Sequence, residues 1–267
     1  MIPFLLAAVL VPLGALPETI AGDGSLDVQS TAYLPITSSP PPVLFADNFE
    51  AGTSQWTPFL NHKRLNPAQW YLDQGKGYGG GNAYTHHCCK GGSHAEDALS
   101  MVLVPGSEAW TNYRVRARFK AVDGRLAGIW FRGTYREVET SGQWLTGYLF
   151  TVDTRPAGTG RAKLWQHRTD EEHGDETKDY YWYNYSNPLF LTDKVLNTPV
   201  NYGEWHEMTV EVQGPRIKAW VDDELAINYV DTVGSIFLNG TVGLVTYGSE
   251  PKDAHIHFDD VLVEPLP

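Results

Sequence analysis

Methionine is scarce in this chain, with three residues, and no convincing amphipathic helix can be traced in it. A fold built on helices needs long apolar stripes at a period of 3.6, so their shortage weighs against one. Cysteine is scarcer still: two residues, side by side at Cys88 and Cys89. No Cys-x2-Cys spacing exists to bring two thiolates onto one ion. Basic residues are outnumbered, with 20 Lys and Arg against 32 Asp and Glu, for a net charge of −12. Nucleic acid and anionic membrane surfaces repel such a chain, and the charge disfavours them as partners. Long apolar runs are missing too. The one from Ile2 to Leu16 falls short of the roughly 20 residues a stable membrane span needs.

What is present is aromatic and glycine-rich. Nine Trp, fourteen Tyr and 26 Gly stand among 267 residues, of which 42% are hydrophobic. That is enough for one sizeable core, or one domain with a tail. Residues 1–22 resemble the apolar part of a secretory signal, with Ala21 and Gly22 following, although a basic start is absent. Retention as an anchor or packing strand is the alternative. Residues 23–43 are rich in Ser, Thr and Pro and read as an extended linker. The domain is expected over residues 44–267, and self-association is expected, if anywhere, through residues 1–43.

The chain is organised around Gly124 to Arg168. Three runs there, Leu126 to Tyr135, Trp144 to Thr154 and Arg161 to Arg168, are aromatic and β-branched and are bounded by turn residues. Short polar connections make them an antiparallel meander. In the third run Ala162, Leu164 and Gln166 alternate with Arg161, Lys163, Trp165 and His167. Further strands are predicted at Ala98 to Val104, Asn112 to Val122, Trp205 to Val212, Arg216 to Val221, Glu224 to Tyr229, Gly240 to Tyr247 and His255 to Val263, with a hairpin at Asp222-Asp223. Asn61 to Gly92 reads as loop. About a dozen short strands without helices predict an all-β, antiparallel two-sheet β-sandwich.

Four constellations could carry chemistry. Trp130, Arg132, Tyr148, Trp165 and His167 lie on neighbouring predicted strands, followed by Tyr181, Trp182 and Tyr183. Sugar rings stack their C–H faces on such side chains and need polar groups at the rim. Alternation alone does not say which of these rings are core. Paired carboxylates for glycoside hydrolysis should stand about 5–9.5 Å apart. Glu137 with Glu139, and Glu207 with Glu211, alternate suitably, but a turn and a solvated outer face account for them as well. The acidic run at Glu171, Glu172, Asp175 and Glu176 reads as solvated loop. His86, His87 and His94 around Cys88-Cys89 form a His/Cys-rich tract that could hold a transition metal. The same cysteines could instead form a vicinal disulfide or remain free thiols.

The succession "DNFE", "WTNYRVRARFK", "AGIWFRG", "GYLFTVD", "AKLWQHR", "EWHEMTVEVQGPRIKAWVDDELAINY", "GTVGLVTYGS" and "IHFDDVLVEPL" resembles the concanavalin A-like (laminin G-like) jelly roll. Within that class it is similar to the 3-keto-disaccharide hydrolase domains, often labelled family-16-like glycoside hydrolases, over roughly Leu44 to Pro267. The resemblance implies a secreted or cell-surface protein that binds, and in some relatives cleaves, a polysaccharide or oligosaccharide. A non-catalytic adhesion module and a structural surface protein are the alternatives. The acidic E-x-D-x-x-E strand of family-16 enzymes is absent. The resemblance also implies a structural calcium joining the first strand to the last, with Asp47, Glu50, Asp259 and Asp260 in the matching places.

Overall fold

In the strand Tyr113–Asp123, every second residue is apolar and buried (Tyr113, Val115, Ala117, Phe119, Ala121) while Arg114, Arg116, Arg118 and Lys120 face outward. That period of two decides the architecture, because one face must find another apolar layer. A computed structural model of the chain describes residues 42–53, 55–60, 69–88, 98–123, 126–138, 142–154, 160–167, 189–232, 236–248 and 254–267. Among them are fifteen strands: β1 (Phe45–Asp47), β2 (Thr57–Leu60), β3 (Gln69–Asp73), β4 (Ala83–Cys88), β5 (Ala98–Leu103), β6 (Tyr113–Asp123), β7 (Leu126–Val138), β8 (Gly142–Asp153), β9 (Arg161–His167), β10 (Leu189–Val195), β11 (His206–Gln213), β12 (Arg216–Val221), β13 (Glu224–Val230), β14 (Thr241–Gly248) and β15 (Ala254–Pro265).

They form two antiparallel sheets. The first runs β13-β12-β11-β6-β15-β4-β3, with β1 also on β15; the second runs β10-β9-β8-β7-β14-β5-β2. One hydrophobic cluster joins the inner faces. Phe119, Val210, Ile217, Phe258 and Val263 come from the first sheet, and Ile129, Phe131, Phe150, Leu164 and Leu244 from the second. Each such side chain contributes about 1.5–3 kcal/mol by leaving water, which makes this layer the main source of stability. The expected all-β sandwich is therefore what the chain builds. No helix among the described residues is long and apolar enough to cross a membrane.

The central meander forms as predicted, in register Leu149↔Trp165 and Trp130↔Leu149. The stretch read as loop from Asn61 to Gly92 holds two strands, β3 and β4. Their sequences, QWYLD and AYTHHC, are short, and the glycine turn between them dominates the local composition. Pairing of β4 with β15 recruits them. β10 was likewise hidden behind a polar and aromatic run. The hairpin at Asp222-Asp223 forms, with Asp222 in the left-handed region at φ 51°. Its carboxylate accepts from the Glu207 backbone N–H at 2.9 Å, local bonding that makes Asp tolerable there.

Candidate functional site

The second sheet carries apolar side chains on both faces. On the face turned away from the inter-sheet core, Met101, Leu103, Trp130, Leu149 and Val245 form a separate buried cluster, with Leu126 and Trp165 packed on it. Trp130 lies flat against the sheet because Gly133 and Gly147 leave it room. A Cβ on Gly133 would stand 1.7 Å from the indole nitrogen, and one on Gly147 2.8 Å from its ring. Trp130 Nε1 donates to Thr241 Oγ1 at 3.3 Å. The His167 ring sits 5.7 Å away between centroids. Burial pulls the His167 imidazole down to about 3, so it is neutral across the physiological range.

Towards the sheet edge this face opens. Trp165 on β9 is half-buried and stands opposite Phe190 on β10, which is 47% exposed. The two rings meet edge to face at 5.1 Å. One step along, Lys163 faces Asp193. The Lys163 ammonium lies 5.9 Å from the Trp165 ring, and Arg161 pairs with Asp193 at 2.9 Å. The result is an aromatic ledge bordered by a cation and an ion pair.

Of the residues expected to bind saccharide, Trp130, Trp165 and His167 share this face. Arg132 and Tyr148 do not, which corrects the expectation. Tyr148 pairs with Gln166, not with Trp165, and so points inward. It is fully buried, stacks on Phe131 at 5.5 Å and donates to Asp231 Oδ2 at 2.5 Å. Burial, reinforced by Asp231, drives its phenol pKa far upward. Arg132 sits at a bulge in β7 with φ 50° and is 1% exposed. Its guanidinium donates to three backbone carbonyls: Thr111 at 2.8 and 3.2 Å, Gly214 at 2.5 Å and Phe237 at 3.3 Å. It ties loops together. Tyr181, Trp182 and Tyr183 lie outside the described residues, as do Glu139 and the acidic run from Glu171 to Glu176. Phe190 and Asp193 were missed, although NPLFLTD alternates well enough to place Phe190 on a strand.

On the outer face of the first sheet, charges meet charges. Arg114 pairs with Glu211, Arg116 with Glu264 at 3.5 Å and Arg118 with Glu207 at 3.7 Å. A hollow of about 290 Å³ over Trp220 is bordered by Arg114, Arg116, Glu207 and Glu211. Glu207 and Glu211 are thus surface ion-pair partners, the solvated outer face expected as their plainer reading.

The first and last strands do meet, with Asp47 opposite Val261 across β1 and β15. The four carboxylates expected to hold calcium there are turned to protein donors. Asp47 accepts from the Phe49 N–H at 2.7 Å and from Trp56 Nε1 at 2.8 Å. Glu50 accepts from the Asn82 N–H at 2.6 Å, Asp259 from the Tyr78 N–H at 2.7 Å, and Asp260 pairs with Arg118 at 3.2 Å. Burial, with Asp260 and Glu50 nearby, raises Asp259 to about 6. As they stand these residues do not fit a calcium ion, which needs six or more oxygens turned to one point.

The expected transition-metal grouping also fails. His86 and His87 are neighbours on β4 and leave it on opposite faces. His86 is buried inward, its Nδ1 2.7 Å from Thr246 Oγ1, while the His87 ring stacks on His255 at 4.5 Å. His94 and Cys89 lie outside the described residues, and so does any pairing of Cys88 with Cys89. Residues 1–41, with the expected signal, most of the linker and the self-association segment, lie outside them too.

Two sheets in this order, with a ring-bearing outer face on one of them, define a concanavalin A-like jelly roll. Solved structures share the fold, three of which serve as examples. A galectin-like protein of unknown function from Bacillus subtilis aligns with a TM-score of 0.54 at 10% identity, over 84% of this chain and 96% of its own. A structure described with the endo-acting O-glycanases by which human gut microbiota initiate mucin breakdown gives 0.52 at 12%, over 85% and 100%. The laminarinase from Rhodothermus marinus gives 0.51 at 12%, over 85% and 99%. No curated protein matches the sequence. The chain belongs to the family of 3-keto-alpha-glucoside-1,2-lyase-like domains, whose model matches residues 55–264.

Proposed function

We propose that this is a secreted or surface-held carbohydrate-active protein that binds an oligosaccharide or polysaccharide along the outer face of its second sheet. The Trp165–Phe190 ledge is the ring platform. The observation that carries the reading is the edge-to-face pair of half-buried Trp165 and exposed Phe190, standing beside Lys163 and the Arg161–Asp193 pair. Indole and phenyl faces suit the apolar C–H side of a pyranose, and the adjacent charges suit its hydroxyls. Family membership and the glycan-acting proteins that share the fold support it by analogy. Residues 1–22 direct export or anchor the chain, and residues 23–43 tether the domain.

Retention on polysaccharide affinity gels tests the binding. Trp165→Ala and Phe190→Ala should each weaken it by about 1–3 kcal/mol, the scale of one aromatic contact. Unchanged retention in both variants, with native near-UV spectra, rejects the site.

The family match favours a second reading, cleavage of a 3-keto glucoside by elimination. The C3 ketone acidifies the C2 proton. A base removes that proton, the C1–C2 double bond forms, the C1–O bond breaks, and the aglycone takes up a proton as it leaves. On the described part of the face the one imidazole is His167, fully buried. Incubation with a 3-keto disaccharide separates the two readings. Release of aglycone with a conjugated product identifies a lyase; retention of an intact ligand identifies a non-catalytic module.

A further inference from the structure

The outer face of the first sheet, opposite the proposed saccharide face, carries a group of side chains that no step above uses. His255 and His257 stand two residues apart on β15, so both imidazoles leave the strand on one side. Across the ladder His255 faces His87 and His257 faces Thr85 on β4. Beyond β4, Asp73 on the edge strand β3 faces Ala83. An alanine there leaves open the space across which the Asp73 carboxylate reaches, with Oδ2 3.8 Å from His257 Nδ1. One ligand atom from each of Asp73, His255 and His257 lies within 4.8 Å of the other two.

That spacing has a chemical meaning. Nitrogen and oxygen donors sit about 2.0–2.2 Å from a zinc ion, so two donors in its tetrahedral shell stand about 3.3–3.6 Å apart. Side-chain movement of about an ångström closes the set. Neighbouring groups already orient it. The His87 ring stacks on His255 at 17° between planes and His255 meets His257 edge to face at 4.9 Å, while Thr85 Oγ1 stands 2.7 Å from His257 Nδ1, the nitrogen that faces Asp73, and gives up that contact when Nδ1 takes the ion. The ring contacts hold the two imidazoles side by side on this face. Lys120 lies opposite His257 on β6, but its ammonium is drawn to the Lys76 carbonyl at 3.3 Å and over the Trp205 ring at 4.8 Å. It lowers the affinity without taking a ligand position.

We propose that Asp73, His255 and His257 bind one transition-metal ion of the zinc class, with a fourth position open to solvent. Two imidazoles and a carboxylate select such an ion over calcium or magnesium, which prefer oxygen throughout. The ligands come from β3 and β15, on either side of β4, so a bound ion clips the edge strand to the middle of the sheet. Nothing here depends on the saccharide reading.

Titration of the metal-free full chain with Zn2+ by calorimetry tests the site, with Co2+ absorption as the second readout. The expected result is one ion per chain, a thermal midpoint that rises with Zn2+ concentration, and no thiolate charge-transfer band with Co2+. Asp73→Asn and His255→Gln, both at half-buried positions, should weaken binding at least about tenfold, the loss seen even when only an orienting partner is removed. Cys88→Ser with Cys89→Ser should leave it unchanged. Zn2+ affinity that survives both ligand substitutions, disappears with the cysteines, or is absent from the unmodified chain overturns the proposal.

Discussion

Arg132 separates a binding residue from a structural one most sharply, because the two roles predict opposite results for the same substitution. Arg132→Ala removes four hydrogen bonds to the carbonyls of Thr111, Gly214 and Phe237. The side chain is among the largest that are fully buried. Each carbonyl left without a donor costs about 1–3 kcal/mol where water cannot replace it. The void left by the side chain adds to this, and water entering it subtracts. The net loss is about 4 kcal/mol, at the upper end for single substitutions. Alanine inherits the left-handed backbone at φ 50°, so Arg132→Gly should recover about 1 kcal/mol of the loss. Lysine keeps the charge but loses the planar fork that serves three acceptors, and should fall between wild type and alanine. Urea unfolding monitored by tryptophan fluorescence is the assay. At a slope of about 2–3 kcal/mol per molar, the alanine midpoint should drop by about 1.3–2 M. A shift worth less than about 1 kcal/mol, together with lost polysaccharide retention, would refute the structural role and return Arg132 to the binding site.

Other perturbations follow from the same geometry. His167 is held near 3 in the folded chain and titrates near 6.5 when unfolded, so its contribution is complete above about pH 6.5 and is lost as pH falls. Between pH 7 and 5 that is about 2 kcal/mol, to be seen as a pH-dependent urea midpoint that flattens in His167→Gln. Gly133→Ala should cost about 3 kcal/mol or more by driving a methyl into Trp130. Adding Trp130→Phe should restore part of the thermal midpoint, and a harmless Gly133→Ala would show that the indole does not lie there. Asp47→Ala should cost about 2 kcal/mol through lost bonds to the Phe49 N–H and the Trp56 indole. The loss should be equal with and without chelator; a chelator-dependent loss would reinstate calcium where β1 meets β15.

The architecture was legible because β6, β9, β11 and β12 each bury alternate residues, and alternation is a local property that needs no knowledge of partners. β3 and β4 were not legible. Each is short, and what makes them strands is pairing with β15, more than 160 residues away in sequence from Tyr84 to Phe258. The candidate site shows the same division. Trp165 and His167 share a side of β9 by parity, and that much was read from the sequence. Whether Tyr148 joins them depends on the register between β8 and β9, and the register places it opposite Gln166, facing inward. A single residue of slip would have put Tyr148 on the ledge and Leu149 in the core. The inward-pointing Asp231, which receives the hydroxyl of Tyr148 and the amide of Gln166, is what makes that slip costly. Moving Tyr148 outward would take the hydroxyl donor from a buried carboxylate. The buried polar group that looked like a binding residue in the sequence is therefore the device that fixes which rings the outer face presents.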